Sequence, residues 1–303
     1  MLNSTVVAIS AFKSDKPIIN LLSDIFNDFH DSISRVVVVD SLGSGEIESV
    51  CSINGWPVGY YNFHYNLGSA GNLAKRIEIA SQLEARWCLC LNHDANWDSG
   101  RLSAMLNAAN TQSKVGAVYP VLDHYPRQPR WEDGRRSFAP SAGARFPKIP
   151  LEDSSEVLWS SSNGALYSTE PFKENIRVMS DLWMGYEDLA YGLALNQNGW
   201  KQLVCRKAVL SKVFDYSALS LPVHGVFIQD KPDWYSYYNM RNLVIIHNEY
   251  GSQGISFKAL VFKFFHSGLR ILLLESNRFS KLALHFRGTV DGFRGRVGKY
   301  DVP

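Results

Sequence analysis

Hydrophobic positions in the first part of the chain form short continuous runs that alternate with stretches of helical spacing. Helical spacing covers 18–29, 72–85 and 101–110, and the apolar runs cover 6–11, 36–39, 58–63, 86–91 and 115–121. Continuous apolar runs are typical of parallel strands that are buried on both faces. Their alternation with helices predicts an α/β fold with a doubly wound, mostly parallel, Rossmann-like sheet.

The pattern changes between residues 123 and 156, which include five prolines and a basic run from Arg127 to Arg136. We predict a long loop excursion there, either a lid or acceptor-binding segment or a surface insertion. Regular structure resumes at 157–159 and 163–167, followed by a helix from Glu187 to about Asn198, which Gly199 terminates. A strand over 203–210 and amphipathic helices over 235–247 and 257–274 complete the pattern.

Charge changes this picture only near the carboxyl end. The chain has 303 residues, is 46% hydrophobic and carries a net charge of +2, so it is globular and offers no overall electrostatic attraction to nucleic acid. Residues 255–303 nevertheless contain nine lysines and arginines but three acidic residues. Such a basic segment suits an anionic surface, either membrane headgroups or polyphosphate, and the alternative is a solvated helical face.

Cysteine usage and hydropathy limit the cellular context. The four cysteines form no C-x-x-C pair, and Cys88 and Cys90 alternate on one face of an apolar strand, so we predict small core residues in a reducing cytosol. No window of 18 uncharged apolar residues exists, and the amino-terminal segment lacks the features of a signal peptide. The expected location is the cytoplasm, with peripheral contact at the inner face of the cell membrane.

Carboxylates stand at the ends of two predicted strands, where open α/β sheets bind ligands. Asp40 follows the four valines, and its alternative role is that of a turn residue. In Asn92-His93-Asp94, alternation places Asn92 and Asp94 on the same side, where their oxygens could hold Mg²⁺ or Mn²⁺ against a diphosphate. His93 is expected to point into the protein instead.

Two further polar groups are candidates for chemistry. Glu187 and Asp188 open a predicted helix, whose dipole stabilises carboxylates, and the alternative reading of the pair is simple helix capping. His224 lies in a Pro-Val-His-Gly turn, and its imidazole could complete a metal shell. Read by itself, His224 fits a lone loop histidine better than a metal ligand.

Taken together, these motifs resemble the family 2 glycosyltransferases with the GT-A fold, in particular bacterial rhamnosyl- and galactofuranosyltransferase-like members. The resemblance covers nearly the whole chain. Its motifs are Val36-Val37-Val38-Val39-Asp40, Asn66-x-Gly68-x-Ala70-Gly71-Asn72, Leu91-Asn92-His93-Asp94, Gly185-Tyr186-Glu187-Asp188, Tyr237-Tyr238-x-x-Arg241-Asn242 and Gly288-x-x-Asp291-Gly292-x-x-Gly295-Arg296-x-Gly298-Lys299.

The resemblance implies roles for particular residues. Asp94, with His224 as an additional ligand, would bind the divalent metal (Mg²⁺ or Mn²⁺) that bridges the donor diphosphate. Asp188, next to Glu187, would be the base that deprotonates the acceptor hydroxyl, and in-line attack would invert the anomeric centre. Implied donor contacts are Ala11, Asp40, Asn66, Gly68, Gly71, Asn72 and Asn92. Implied acceptor contacts are Trp159, Asn163, Gly164 and Arg241.

The implied enzyme moves a rhamnose- or galactofuranose-like sugar from a dTDP- or UDP-linked donor to a lipid-linked cell-surface polysaccharide of O-antigen or capsule type. Residues 1–215 would form the nucleotide-sugar-binding and catalytic domain, and 216–303 a helical region near acceptor and membrane. Phe257, Leu260, Val261, Phe264 and Phe265 form a helical stripe there, for which the alternatives are membrane contact and core packing. The aromatic helices could also pair in a homo-oligomer.

The sequence departs from the family pattern in ways that keep alternatives open. After the Glu-Asp pair, relatives often carry a further Asp and an Arg, where this chain has Ala190 and Ala194. A catalytically silent glycan- or nucleotide-binding subunit of a polysaccharide assembly complex is therefore one alternative. A nucleotidyltransferase is the other alternative, although residues 10–15 lack the glycine-rich basic signature that such an enzyme usually needs.

Overall fold

A computed structural model describes residues 4–123, 135–136, 153–211, 220–223, 226–229 and 231–300. Its strands are β1 (Thr5–Ala11), β2 (Ile33–Asp40), β3 (Val58–Asn62), β4 (Trp87–Asn92), β5 (Val115–Asp123), β6 (Arg135–Arg136), β7 (Ser154–Glu156), β8 (Leu166–Ser168), β9 (Lys201–Ser211), β10 (Ser220–Val223) and β11 (Val226–Gln229). Its helices are α1 (Asp15–Asn27), α2 (Glu46–Asn54), α3 (Gly68–Gln82), α4 (Ser99–Ala109), α5 (Glu170–Lys173), α6 (Glu187–Gln197), α7 (Asp233–Tyr250), α8 (Phe257–Leu274) and α9 (Arg278–Phe293).

One mixed sheet organises these elements in the strand order β3-β2-β1-β4-β8-β5-β9-β7, with β6 paired to β5. Strands β1–β5 and β9 run in one direction, whereas β8 is inserted antiparallel between β4 and β5. This arrangement confirms the predicted α/β, mostly parallel, doubly wound sheet. Most of the predicted 123–156 excursion lies outside the described residues, and the proposed domain boundary at 215/216 stays a prediction.

Both faces of the sheet are covered, which explains why its central strands are continuously apolar. In β1, Val7 and Ile9 join one core with α1 and α4, while Val6 and Ala8 join a second core with α3 on the opposite face. β4 alternates in the same way, and its Cys88 and Cys90 are buried on the α3 side, as predicted. Helix α2 escaped prediction because few of its side chains, Ile47 and Cys51 among them, reach the core.

The helices α7 and α9 pack in unusually close contact. A Cβ atom added at Gly288 would lie 2.2 Å from the carbonyl oxygen of Tyr237, and one at Gly292 would lie 2.7 Å from that of Arg241. Two glycines one turn apart therefore let the α9 backbone approach α7 directly. Helix α7 in turn packs on α6 through a shared core that includes Leu189, Leu193 and Met240.

Helix α8 has the predicted boundaries, but its apolar stripe divides between two sides. Leu260 is buried and Phe264 is partly buried against the α6–α7 core, whereas Phe257, Val261 and Phe265 are exposed. The core-packing alternative thus describes one side of the helix only. Among the described residues, no helix combines the length and apolarity needed to cross a membrane.

We expect Gly288→Ala to lower the free energy of unfolding by about 1–3 kcal/mol, because the added methyl group collides with backbone rather than with a flexible side chain. Gly268→Ala in α8 is the matched control, since its Cβ would meet nothing closer than 3.9 Å. That change should stabilise the protein by up to about 1 kcal/mol through helix propensity. Urea unfolding followed by circular dichroism measures both; equal effects would contradict the close α7–α9 contact.

Candidate functional site

A cavity of about 200 Å³ lies where the carboxyl ends of β1, β2 and β4 meet the amino end of α3. This edge is where the topology of an open α/β sheet leaves room for a ligand. The residues that line the cavity are Ser10, Phe12, Ser41, Asn66, Gly68, Ser69, Asn72, Arg76, Asn92, His93, Ser162, Met184 and Glu187.

The glycine-rich segment forms the turn that starts α3. The side-chain oxygen of Asn66 accepts a hydrogen bond from the backbone N–H of Gly68 at 2.9 Å. Gly68 has a φ of +67°, and a Cβ there would lie 2.0 Å from the carbonyl oxygen of Trp183. Glycine is therefore required at position 68 both for its conformation and for the close approach of the chain that leads to Glu187.

Two buried polar side chains of α3 face the cavity. Asn72 donates to the carbonyl oxygen of Val39 at 2.9 Å, and Arg76 donates to that of Leu91 at 3.3 Å. These bonds tie α3 to the ends of β2 and β4. The side-chain oxygen of Asn72 and the Nε of Arg76 have no hydrogen-bond partner among the described residues, so the cavity wall retains polar capacity and a buried positive charge.

Asp40 and Ala11 sit side by side at the ends of β2 and β1. One carboxylate oxygen of Asp40 accepts a hydrogen bond from the backbone N–H of Leu42, and the other accepts one from the Tyr60 hydroxyl at 2.9 Å. Asp40 is buried and the adjacent Ser41 lines the cavity. Asp40 thus shapes the turn beside the cavity, and its predicted donor contact stays a prediction.

The loop before β8 connects the two carboxylates that the sequence singles out. Asn163 accepts a hydrogen bond from the backbone N–H of Asn92 at 2.9 Å and donates to Oδ1 of Asp94 at 3.2 Å. Its neighbour Ser162 hydrogen-bonds Asp188 through the backbone. Consecutive loop residues therefore contact Asp94 on one side and Asp188 on the other, so the structure brings these two carboxylates to one place.

Glu187 and Asp188 start α6 with unusual electrostatics for carboxyl groups. Burial is the main cause that raises the pKa of both, and the pKa of Asp188 reaches about 7 because the Glu187 charge adds to the effect. Hydrogen bonds to Ser69 and Gly185 oppose the shift at Glu187. A carboxyl group with a pKa near neutral pH is suited to take up a proton, which simple helix capping does not require.

The backbone segment before Glu187 adopts strained conformations and is held by hydrogen bonds from side chains of other helices. Trp183 and Tyr186 have φ values of +57° and +65°, a region that costs energy for residues other than glycine. Ser69 accepts a hydrogen bond from the backbone N–H of Gly185. The buried side-chain amide of Asn242 lies within hydrogen-bond distance of the carbonyl oxygens of residues 182, 184 and 185. These contacts hold the segment in place.

Arg241 directly precedes Asn242 in α7, and its side chain is also buried. Its guanidinium donates to the carbonyl oxygens of Leu182 and Gly298, each at 2.6 Å, and the N–H of Gly298 donates to Asp181 at 2.7 Å. Tyr300 stacks on Tyr237 with a ring-centroid distance of 4.2 Å. These contacts clamp the segment after α9 against residues 181–182, and acceptor binding by Arg241 stays a prediction.

The other predicted residues lie around the cavity rather than in its lining. Gly164 packs against Pro120 and Leu210, and Trp159 packs on Gly192 of α6 with an indole N–H that has no partner among the described residues. Gly71 lines a separate cavity of about 810 Å³, which shares Asn66 with the smaller one and is also lined by Trp183. His93 is exposed and lines the smaller cavity, so the expectation that it points inward was wrong.

His224 lies outside the described residues, so its predicted metal contact is untested. Within the described ranges, no group of three His, Cys, Asp or Glu side chains could hold a metal by itself. Asp94 is the carboxylate available beside Asn92. The residues that sequence reasoning missed are Ser69, Arg76 and Ser162, whereas Asn242 was quoted within a C-terminal motif without a role. A polar residue at a buried helical position was the signal available for Arg76.

No protein-family model and no curated protein sequence matches this chain. Solved structures do. GalNAc-T7 with UDP, GalNAc and Mn²⁺ is 12% identical with a TM-score of 0.62, over 96% of this chain and 55% of that chain. S. aureus TarS 1–349 is 13% identical with a TM-score of 0.58, over 95% of this chain and 80% of that chain. The mannosyltransferase PcManGT from Pyrobaculum calidifontis, with GDP-Man and Mn²⁺, is 13% identical with a TM-score of 0.56, over 96% of this chain and 87% of that chain.

These likenesses show that the chain has the GT-A glycosyltransferase fold. The chain spans about half the length of GalNAc-T7 and most of the length of the other two proteins. At such low identity, the fold is what the comparisons establish.

We expect Asp188→Asn to stabilise the protein more at pH 8 than at pH 5. Because the folded-state pKa of Asp188 is raised from 3.8 to about 7, stability is lost as the pH rises through that range, and the amide removes this loss. The difference between the two pH values should be about 1–2 kcal/mol, because Asp188 is half-buried and solvent therefore screens part of the penalty of burying its charge. Urea unfolding at both pH values measures it.

The exposed Asp31, which precedes β2 at the opposite edge of the sheet, offers the matched change Asp31→Asn. This variant should show no gain that grows with pH. A pH-independent effect of Asp188→Asn would mean that Asp188 ionises normally in the folded protein.

Proposed function

We propose that the chain is an inverting, metal-dependent glycosyltransferase of the family 2 type. It transfers a rhamnose- or galactofuranose-like sugar from a dTDP- or UDP-linked donor to a hydroxyl of a lipid-linked cell-surface polysaccharide. The observation that carries the proposal is the contact of Ser162 and Asn163 with Asp188 and Asp94. It pairs a carboxylate suited to a metal with one suited to a base beside a single cavity.

The fold supports this reading because proteins of similar structure are glycosyltransferases. The neighbours include a mannosyltransferase in complex with GDP-Man and Mn²⁺ and GalNAc-T7 with UDP, GalNAc and Mn²⁺. The candidate cavity occupies the ligand-binding edge of the sheet in this chain. A fold alone hosts many functions, so the chemistry of this cavity decides the proposal.

The donor set beside the cavity suits a hard divalent cation. Asp94 offers carboxylate oxygen and Asn92 offers amide oxygen, which are the ligands that Mg²⁺ and Mn²⁺ prefer. Since no complete shell of protein ligands forms among the described residues, Asp94 would hold the metal together with the donor's phosphates. The bound metal would neutralise charge on the nucleoside diphosphate as it leaves. The buried guanidinium of Arg76 adds positive charge to the same wall.

The base is Asp188. Its pKa of about 7 lets the carboxylate exist at neutral pH while keeping it basic enough to accept the proton of an acceptor hydroxyl. The hydroxyl oxygen then attacks the anomeric carbon from the side opposite the diphosphate, and the configuration inverts. Such a positioned base contributes about 10²–10⁴-fold to the rate. Glu187 tunes Asp188 through its charge.

Release of nucleoside diphosphate from a panel of UDP-, dTDP- and GDP-sugars, with Mn²⁺ and with chelator, tests the proposal. We expect release from one donor that requires the metal and a glycan acceptor. Asp94→Ala and Asp188→Asn should each lower kcat/KM by at least about 100-fold. Asp31→Asn, at the far edge of the sheet, should leave the rate unchanged. Binding of a donor without release from any of them would favour the silent binding subunit.

The contacts of Asn163 give a sharper prediction, because they assign it to Asp94 rather than to the acceptor. Asn163→Ala removes the amide that orients the Asp94 carboxylate, so the Mn²⁺ concentration for half-maximal rate should rise about tenfold or more. The KM for acceptor should change little. An unchanged metal requirement with a raised acceptor KM would instead support the acceptor contact that the sequence suggests.

A further inference from the structure

Helix α8 carries a continuous apolar face that no other part of the described chain covers. Along it, side chains recur at spacings of three and four residues, and their exposed fractions lie between 38% and 69%. The apolar face of α8 consists of Phe257, Val261, Phe262, Phe265, Leu269, Leu272 and Leu273. Single exposed apolar residues are ordinary, but seven on one helix face indicate a contact surface.

The acidic groups next to this face are withdrawn from the surface. Glu275 is buried and forms a 3.0 Å ion pair with Lys281, whose side chain is equally buried. Asp291 is buried too, accepting a hydrogen bond from the Tyr237 hydroxyl and pairing with Arg296. The exposed charges that remain on α8 and α9 are basic, among them Lys258, Arg278 and Arg287.

Helix α9 extends the same chemistry. Phe279, Phe286 and Phe293 recur every seven residues along its length and are 79%, 63% and 53% exposed. Exposed phenylalanines flanked by arginines suit the boundary between acyl chains and anionic headgroups, where aromatic rings enter and cations stay at the surface. A soluble acidic protein would match the charges but leave this apolar area unexplained.

We propose that the apolar face of α8, with the phenylalanines of α9, docks the protein onto an anionic membrane leaflet. The helices lie in the plane of the interface, since none of those described could cross the bilayer. Apolar burial supplies the insertion, and the basic residues supply attraction that depends on salt.

Helix α8 passes near the candidate base. Arg270, on α8, and Asp188 both act electrostatically on the hydroxyls of Tyr186 and Tyr235, in opposite directions on their pKa values. The docking itself does not depend on the transfer chemistry, and each can be tested without the other.

Co-sedimentation of the full chain with vesicles tests the docking. Phosphatidylcholine vesicles with and without about 30% phosphatidylglycerol would be compared at about 0.05 and 0.5 M NaCl. We expect binding to the anionic vesicles that weakens with salt. Phe262→Ser/Phe265→Ser/Leu273→Ser should weaken it by at least about tenfold. Lys258→Glu/Arg278→Glu should remove most of the salt-sensitive part.

Ile53→Ser, on the exposed side of α2, is the control for loss of a surface apolar residue and should bind like the unaltered chain. Circular dichroism and the unfolding midpoint confirm that each variant is folded. Equal sedimentation with and without vesicles, or undiminished binding by the triple variant, would overturn the proposal. The proposal would also be overturned if the chain did not bind vesicles but formed a dimer in light scattering that only the triple variant abolished. The face would then join two copies of the chain.

Discussion

Two backbone hydrogen bonds between β4 and the loop before β8 determine where the candidate site forms. Gly164 donates to the carbonyl oxygen of Cys90 at 2.7 Å, and Cys90 donates to that of Ala165 at 2.8 Å. They exist because β8 enters the sheet antiparallel between β4 and β5, so its preceding loop must cross the carboxyl edge of the parallel strands. The contacts of Ser162 with Asp188 and of Asn163 with Asn92 and Asp94 follow from that crossing.

The sequence could predict those parts of the site that depend on local pattern. Asp94 and Asp188 were recognisable because each stands close to the end of a regular element, and Gly68 because it belongs to the glycine-rich motif. The position of Asn163 between Asn92 and Asp94 joins segments about seventy residues apart, as do the contacts of Asn242 with residues 182–185. Neither has a periodic signature, because tertiary packing creates the contact.

The same limit applies to the surface. Helical spacing in α8 revealed an apolar stripe but not which side of it meets the core, since both sides carry large hydrophobic residues. Packing against α6 and α7 buries Leu260 and leaves Phe257, Phe262 and Phe265 exposed. The candidate site also contains features that are unfavourable for stability. Burial of Glu187 and Asp188 raises the pKa of both carboxyl groups, and the positive φ of Trp183 and Tyr186 costs further conformational energy at the candidate site.

The clamp of Gly298 on Asp181 has a consequence for how the protein is made. A ribosome releases the sheet strands first, and domains begin to fold as their residues emerge. The strained segment before Glu187 must then wait for Asn242 and Arg241, and finally for Gly298 and Tyr300, before its carbonyl groups find their partners. A nascent chain can therefore hold a folded sheet and a formed cavity while the segment before Glu187 is still without these hydrogen-bond partners, until the residues after α9 have been made.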